Sequence, residues 1–405
     1  MTVVSKSATP EPTRHVLIVV ENLPVPFDRR VWSEATALRE AGYDVTVICP
    51  GSAGTTAEEE VLNGITIRRH PLREASGGLV GYLREYAQAL FWETRLAWRT
   101  WRSKRFDAIH LCNPPDLLFL VALPFKMMGA KVVFDHHDLN PELYVTKFGR
   151  ADLPYHALRL AERLTFATAD LVISTNTSYA RIARQRGGKR PEDVVVVRSA
   201  PDMSRFQRVA DRAAPSADQV PTIGYVGVMA EQDGVDLLLH ALHHLVAAER
   251  FAGLRAVLIG DGPSRSALEA LTLELGLGGM VRFTGFLTGN DLLVAMSRFD
   301  VGVCPDPKNS YNDKCTMNKV LEYMALGIPV VQFDLEEGRR SAEGASIYAG
   351  TQNDPEELAE RMADLLDDPV LRARLGNEGR NRMHHELEWK HQVPKLIKAY
   401  DALLQ

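Results

Sequence analysis

The chain has 405 residues, with 47 Lys and Arg against 52 Asp and Glu, a formal net charge of −5. At 45% hydrophobic and 24% charged residues the composition is that of a globular protein, which excludes a disordered or fibrous chain and gives no overall pull toward nucleic acid. The length exceeds one ordinary hydrophobic core and suggests two or three domains, two being the simplest count. Cys49, Cys112, Cys304 and Cys315 stand far apart with no Cys-x-x-Cys pair, and are expected as buried thiols in a reducing cytoplasm. Residues 1–13 read as a polar, Pro-containing tail rather than a signal peptide. The longest apolar run, Leu117 to Phe125, is interrupted at Pro124 and is too short to cross a bilayer.

The run HVLIVV after Arg14 reads as a strand, followed by a helical pattern from Asp28 to Ala41 and a second strand, DVTVIC. Asp28, Arg29 and Arg30 stand at the start of that helix as candidates for acceptor or phosphate contact, since a guanidinium suits bidentate phosphate binding; the competing reading is helix-start charge. From Leu83 to Trp101, the residues Leu83, Tyr86, Ala87, Leu90, Ala97, Trp98 and Trp101 fall on one helical face, flanked by Arg84, Arg95, Arg99 and Arg102. A helix packed on a sheet fits this pattern. Tyr82, Phe91 and Trp92 lie outside the stripe, however, and favour peripheral contact of residues 82–105 with an anionic membrane. The strands FDAIHL and KVVFD follow, the second ending in Asp135, His136, His137 and Asp138, at the carboxyl end where such sheets present reactive groups. His136 and His137 have no third and fourth metal ligand nearby. DLVIST and DVVVV complete a series of parallel strands with covered faces.

The pattern then restarts. A charged, Ala- and Pro-containing stretch from Arg208 to Pro221 precedes TIGYVG, RAVLIG, VRFTG, DVGVC and PVVQF, again with helices between, which places a domain boundary near residues 206–221. In CTMNKVLEYMALGIPVV, residues Cys315 to Leu326 have helical spacing, and Gly327 and Pro329 end the helix. Glu322 then sits about one turn from the helix start. There its carboxylate can accept hydrogen bonds from two adjacent ribose hydroxyls, while the free helix amides, with Asn318 and Lys319, face a diphosphate. On spacing alone, solvated helix charges are an equal reading.

The run NKVLEYMALGIPVV, together with LIGDGP at Leu258–Pro263, FTGFL at Phe283–Leu287 and YVG at Tyr225–Gly227, resembles the donor domain of glycosyltransferase family 4, whose members are retaining GT-B enzymes. ENLPVPFDRRVW and EATALREAGYDVTVICP in the first half are similar to the same family, so the resemblance spans nearly the whole chain. It implies that Glu322 holds the ribose, that the loop of Gly227 and Val228 approaches the phosphates, and that Gly260 and Gly262 line the nucleotide pocket. Phe286 and Leu287 would lie beside the base, and Thr316, Asn318 and Lys319 would complete the donor set. His137, with Asp138, would correspond to a catalytic position near the transferred sugar. The simpler readings are a strand-to-helix turn for Gly260 and Gly262 and a structural imidazole for His137.

The chain also departs from the family pattern. The Arg and Lys that many members carry after the YVG strand are here Val228 and Asp233, and the first of two glutamates spaced eight apart is Lys314. Lys314 and Lys319, on either side of the helix start, are expected to replace the missing cations, with Lys314 acting on the leaving diphosphate. The alternative is that Lys314 is solvated on the turn-rich segment PDPKNSYND. No Asp-x-Asp triplet occurs, so neither a metal nor a cofactor is expected beyond the nucleotide-sugar itself.

The expected fold is α/β, of GT-B type, with two Rossmann-like doubly wound parallel sheets facing a central cleft. The domains are a tail at 1–13, an acceptor-side domain at 14–207, a linker at 208–221, a nucleotide-sugar domain at 222–385, and a helix at 386–405 returning to the first domain. The expected activity is retaining transfer of a hexosyl or N-acetylhexosaminyl group to a hydroxyl acceptor, a lipid-linked or cell-envelope glycan, in the cytoplasm or at the inner membrane face, without nucleic acid. The alternatives are a nucleotide-sugar epimerase and a catalytically inactive nucleotide-sugar-binding protein.

Overall fold

In a computed structural model the described residues are 13–51, 57–71, 78–203, 206, 221–248, 251 and 253–405, and the side chains of 78–83 and 85 are not described. The tail up to residue 12 and the linker from 208 to 220 therefore lie outside the described residues. The chain divides into two compact units, one made of residues up to Pro141, Ala151–Val197 and Val393–Gln405, the other of Glu142–Arg150 and Arg198–Gln392.

The first unit is built on an eight-stranded sheet. In chain order its strands are β1 (His15–Val20), β2 (Asp44–Pro50), β3 (Glu59–Leu62), β4 (Ile65–His70), β5 (Ala108–Cys112), β6 (Lys131–His136), β7 (Leu171–Ser174) and β8 (Val194–Val196). Their order across the sheet is β3-β4-β2-β1-β5-β6-β7-β8, parallel throughout except for the β3–β4 hairpin. The β-branched runs of β1 and β5 are buried along their whole length, as strands covered on both faces require. The hairpin is an addition to the expected strands. Its two-residue turn, Asn63 and Gly64, has φ of 52° and 75°, the pair of positive values a type I′ turn needs.

The helix Gly78–Ser103 turns its Ala89, Glu93, Leu96, Ala97 and Thr100 inward. Trp98 and Trp101 pack on Phe125 at ring separations of 5.0 and 5.5 Å, so the main stripe of this helix packs on the core. Phe91 remains 60% exposed, and Arg95, Arg99 and Arg102 are exposed. Tyr82 and Leu83 fall outside the described side chains. Among the described residues no helix is long and apolar enough to cross a membrane. All four cysteines are buried thiols outside any disulfide.

The second unit carries a six-stranded sheet of β9 (Thr222–Val226), β10 (Arg255–Ile259), β11 (Val281–Gly285), β12 (Val301–Cys304), β13 (Val330–Phe333) and β14 (Ser346–Ala349), the last beyond those expected. The order is β11-β10-β9-β12-β13-β14, all parallel. The winding reverses at β9, between β10 and β12, and sheets of this kind hold ligands at the carboxyl ends of the strands flanking that reversal.

The end of the chain changes unit at residue 393, later than the expected 386. The π-helical turn Met383–Leu387 stays with the second unit because Met383 and Leu387 are buried in its core. The helix Val393–Leu403 belongs to the first unit, where Tyr400 is fully buried and its hydroxyl lies 2.6 Å from His110 Nδ1.

Candidate functional site

In the second unit, the loop after β9 is locked to the loop after β10. The amide of Gly227 donates to the Ile259 carbonyl at 3.0 Å. A Cβ on Gly260, whose φ is 139°, would stand 1.8 Å from the Gly227 carbonyl oxygen, and one on Gly227 would meet the Tyr225 hydroxyl at 2.9 Å and Lys319 Cε at 3.3 Å. A Cβ on Gly262 would come within 2.5 Å of the Met229 carbonyl. Packing of the two loops alone thus demands glycine at these positions, as the strand-to-helix-turn reading anticipates.

The helix facing these loops runs from Asn318 to Leu326, three residues shorter at its start than its apolar spacing suggests. Cys315 and Met317 are extended, following a 3₁₀ turn at Asn312–Lys314. Met317 offers no side-chain cap to the first helix amides. Glu322 is half-buried just over one turn in, and Asn318 is exposed. Thr316 and Leu287 are half-buried, whereas Val228 and Phe286 are 58% and 64% exposed.

Lys319 is committed to an internal partner. Its Nζ lies 2.7 Å from Asp306 Oδ2 and 4.9 Å from the centre of the Tyr225 ring, and Cys304 Sγ donates to the same Asp306 oxygen at 2.9 Å. Burial works against the ammonium, but the Asp306 carboxylate outweighs it and holds Lys319 well above the ordinary lysine range. Asp233, whose Oδ2 accepts from the Ala230 amide at 3.1 Å, is pushed up to about 6 by burial, with Lys319 opposing. Lys314 Nζ donates to the Ser310 carbonyl. Neither Asp306 nor Tyr225 was visible as a partner of Lys319 from spacing.

The carboxyl end of β6 in the first unit forms a second cluster. Asp135 is fully buried, and Arg30 grips it with Nε to Oδ2 at 3.0 Å and a terminal nitrogen to Oδ1 at 2.7 Å. The same guanidinium reaches Glu34 at 2.9 Å and the Val197 carbonyl at 2.9 Å. Burial pushes Asp135 up, yet Arg30 overcomes it and holds the carboxyl well below its usual range; Glu34, where burial dominates, is pushed well above. One guanidinium thus faces two buried carboxyl groups, Asp135 held toward its charged form and Glu34 toward its neutral form. His137 Nε2 meets Asp135 Oδ2 and lies 3.0 Å from Arg30 Nε, so the ring is held between the carboxylate and the guanidinium.

Asn113 holds the backbone behind His137. Its Oδ1 accepts from the amides of His137 at 2.6 Å and Asp138 at 3.2 Å, and its Nδ2 donates to Asp116 at 2.8 Å. Burial pushes Asp116 up to about 6. His110, Cys112 and Asp135 place ligand atoms within 4.8 Å of one another, but Arg30 already neutralises that carboxylate. His136 is a core side chain between the rings of Phe134, Phe166 and Tyr179, and burial takes its imidazole down to about 3. Of the three residues expected at the first loop, Asp28 caps its helix by accepting from Val31 N at 3.0 Å, Arg30 is the buried tie, and Arg29 is exposed.

Two family models match the chain, one described as a glycosyl transferase 4-like domain over residues 28–200 and one as glycosyl transferases group 1 over residues 220–368. The chain is 26% identical over 386 residues to 2-deoxystreptamine glucosyltransferase of Streptomyces kanamyceticus, covering 91% of this chain and 96% of that one. It is 26% identical over 392 residues to phosphatidyl-myo-inositol mannosyltransferase of Mycolicibacterium smegmatis, covering 94% and 91%. Among solved structures, sucrose-phosphate synthase from Thermosynechococcus elongatus superposes with a TM-score of 0.77 at 19% identity, covering 96% of this chain and 99% of that one. Anabaena HepE in complex with UDP-glucose gives 0.71 at 16% identity, covering 96% and 99%.

Proposed function

Since this chain belongs to the group 1, glycosyltransferase 4-like family of GT-B glycosyltransferases, we propose that it moves a hexosyl or N-acetylhexosaminyl group, with retention, from a nucleotide-sugar to a hydroxyl of a lipid-linked or cell-envelope glycan. The observation that carries this reading is the grouping at the reversal point of the second sheet: the Gly227 loop, an uncapped helix start, and Glu322 one turn further on. Glu322 takes the ribose hydroxyls, and the helix amides with Lys314 offset the diphosphate without a metal. Phe286 and Leu287 flank the base. The bond from the sugar's anomeric carbon to the phosphate breaks as the acceptor oxygen bonds to that carbon on the same face, and the acceptor proton passes to the departing phosphate. His137, with Asp138, orients the acceptor. UDP-glucose in the HepE complex supports a nucleotide-sugar donor, and the name of the mycolicibacterial relative supports a lipid-linked acceptor.

A panel of nucleotide-sugars incubated without acceptor tests the reading, with products followed by mass spectrometry. One base and sugar combination is expected to hydrolyse slowly, and Lys314→Ala to slow that hydrolysis about tenfold. A panel in which nothing is hydrolysed rejects the transferase. Binding without hydrolysis would instead support a nucleotide-sugar-binding protein, the reading favoured by the Lys319–Asp306 pair that leaves this lysine already neutralised.

We also propose peripheral attachment at the inner face of the plasma membrane through exposed Phe91 with Arg95, Arg99 and Arg102. The protein is expected to sediment with anionic vesicles at low salt and to be released at about 0.5 M salt, where the screening length is only a few ångströms. Failure to sediment at low salt removes the proposal.

A further inference from the structure

Glu21 follows β1, His70 closes β4, and Glu93 lies on the inward face of the helix Gly78–Ser103. Nothing in their spacing joins them, yet the fold brings one ligand atom from each within 4.8 Å of the other two. We propose that Glu21, His70 and Glu93 form a binding site for a divalent transition-metal ion that ties this helix to the carboxyl ends of β1 and β4.

The first ground is a shortage of donors. Both Glu93 carboxyl oxygens, Glu21 Oε2 and His70 Nε2 are buried with no hydrogen-bond partner. Glu93 is 0% and His70 3% exposed. Buried polar atoms in folded proteins are nearly always satisfied, so four such atoms converging on one point require an explanation. Among the described residues no Lys or Arg pairs with Glu21 or Glu93, in contrast to Asp135 with its Arg30.

The second ground is the histidine tautomer. His70 Nδ1 lies 3.3 Å from the Pro71 carbonyl, which can only accept, so a neutral ring keeps its proton on Nδ1 and turns the Nε2 lone pair inward. Nε2 is 3.1 Å from Glu21 Oε2. Two lone pairs at that distance repel unless a proton or a metal ion stands between them. A backbone carbonyl on the far imidazole nitrogen is also the usual arrangement behind a metal-ligating histidine, because it fixes the ring and raises its basicity.

The third ground is fit. Ions held by nitrogen and carboxylate oxygen at about 2.0–2.2 Å in tetrahedral geometry keep their ligand atoms roughly 3.3–3.6 Å apart, within the spread found here. Two carboxylates and a neutral imidazole balance a divalent charge, and the ligand set is of the kind zinc and manganese accept. Three protein ligands leave a further position, which the second Glu93 oxygen or water can fill.

The test uses the full, tag-free chain. Elemental analysis after dialysis is expected to find about one equivalent of metal per chain, and Zn²⁺ or Mn²⁺ returned to chelator-stripped protein to raise Tm by about 3 °C or more. His70→Gln and Glu93→Gln are each expected to abolish both effects. The site is rejected if the wild-type chain binds less than about a tenth of an equivalent and its Tm ignores both ions, the behaviour of a proton shared between Glu21 and Glu93. Metal retained by His70→Gln would place the ion elsewhere, as on exposed His384 and His385, and also rejects it. Should a variant fail to fold, stripping and reloading the wild-type chain still decides the matter.

Discussion

Replacing Glu322 with alanine is expected to lower kcat/KM for the donor by about a hundredfold or more, through KM rather than kcat. Two hydrogen bonds from ribose hydroxyls to a carboxylate contribute about 1.5–3 kcal/mol each, and their loss would account for that factor. The ribose does not react, so the interaction is equally strong in the ground and transition states and its removal is read in KM. The fold should tolerate the change. Val320, Leu321, Tyr323 and Met324 bury the inner face of the helix, while Glu322 is only half-buried and Glu to Ala improves helix propensity. Steady-state kinetics and calorimetric titration of the nucleotide product check this; an unchanged KM would sink the assignment of the donor pocket.

Arg30→Met is expected to destabilise the protein by about 3–5 kcal/mol at neutral pH, the usual cost of leaving a buried charge without its partner. The variant removes the one cation that faces Asp135 and Glu34 in the buried cluster. The pH dependence distinguishes this from simple loss of packing. In the native chain Asp135 is held well below its ordinary value, so its contribution is present above the normal carboxylate range and fades as pH falls toward the depressed value. Glu34, held well above, contributes in the opposite sense: its share is complete below the normal glutamate value and is lost as pH rises. Without Arg30, only the His110 and His137 contacts hold Asp135 toward its charged form, and both carboxyls shift toward the acid side. The penalty measured by urea unfolding should therefore be clearly smaller at about pH 5 than at about pH 8. Equal penalties at the two pH values would mean that the guanidinium acts only as packed volume.

The strands that carry both units were legible because most are short β-branched runs buried on two faces, and β1, β2, β5–β8 and β9–β13 all lie where such runs occur. The β3–β4 hairpin was announced by Asn63-Gly64 between alternating segments, a turn signal that went unread beside the stronger parallel pattern. The helix start was misplaced by three residues because Cys315 to Met317 share its apolar spacing while their backbone is extended, a difference that hydrophobic periodicity cannot register.

For the candidate site, local motifs located Glu322, Lys319 and His137 but not what binds them. Asp306 and Tyr225 for Lys319, and Arg30 and Asn113 for His137, are supplied by other segments. Some warning was available, since an Asp inside KVVFD and a Glu spaced with Ala89, Leu96 and Ala97 are charges on otherwise apolar faces. Such a charge needs a partner, and only the tertiary structure says which.

The hydrogen bond from Tyr400 to His110 has a consequence for synthesis. The helix that seals the Glu34, His110 and Asp135 cluster leaves the ribosome about 290 residues after the strand it completes. Until then the amino-terminal sheet exposes the wall that Tyr400 covers, and its buried charges remain accessible to water. Stalled or prematurely released chains should accordingly be sensitive to proteolysis in the very half that was translated first.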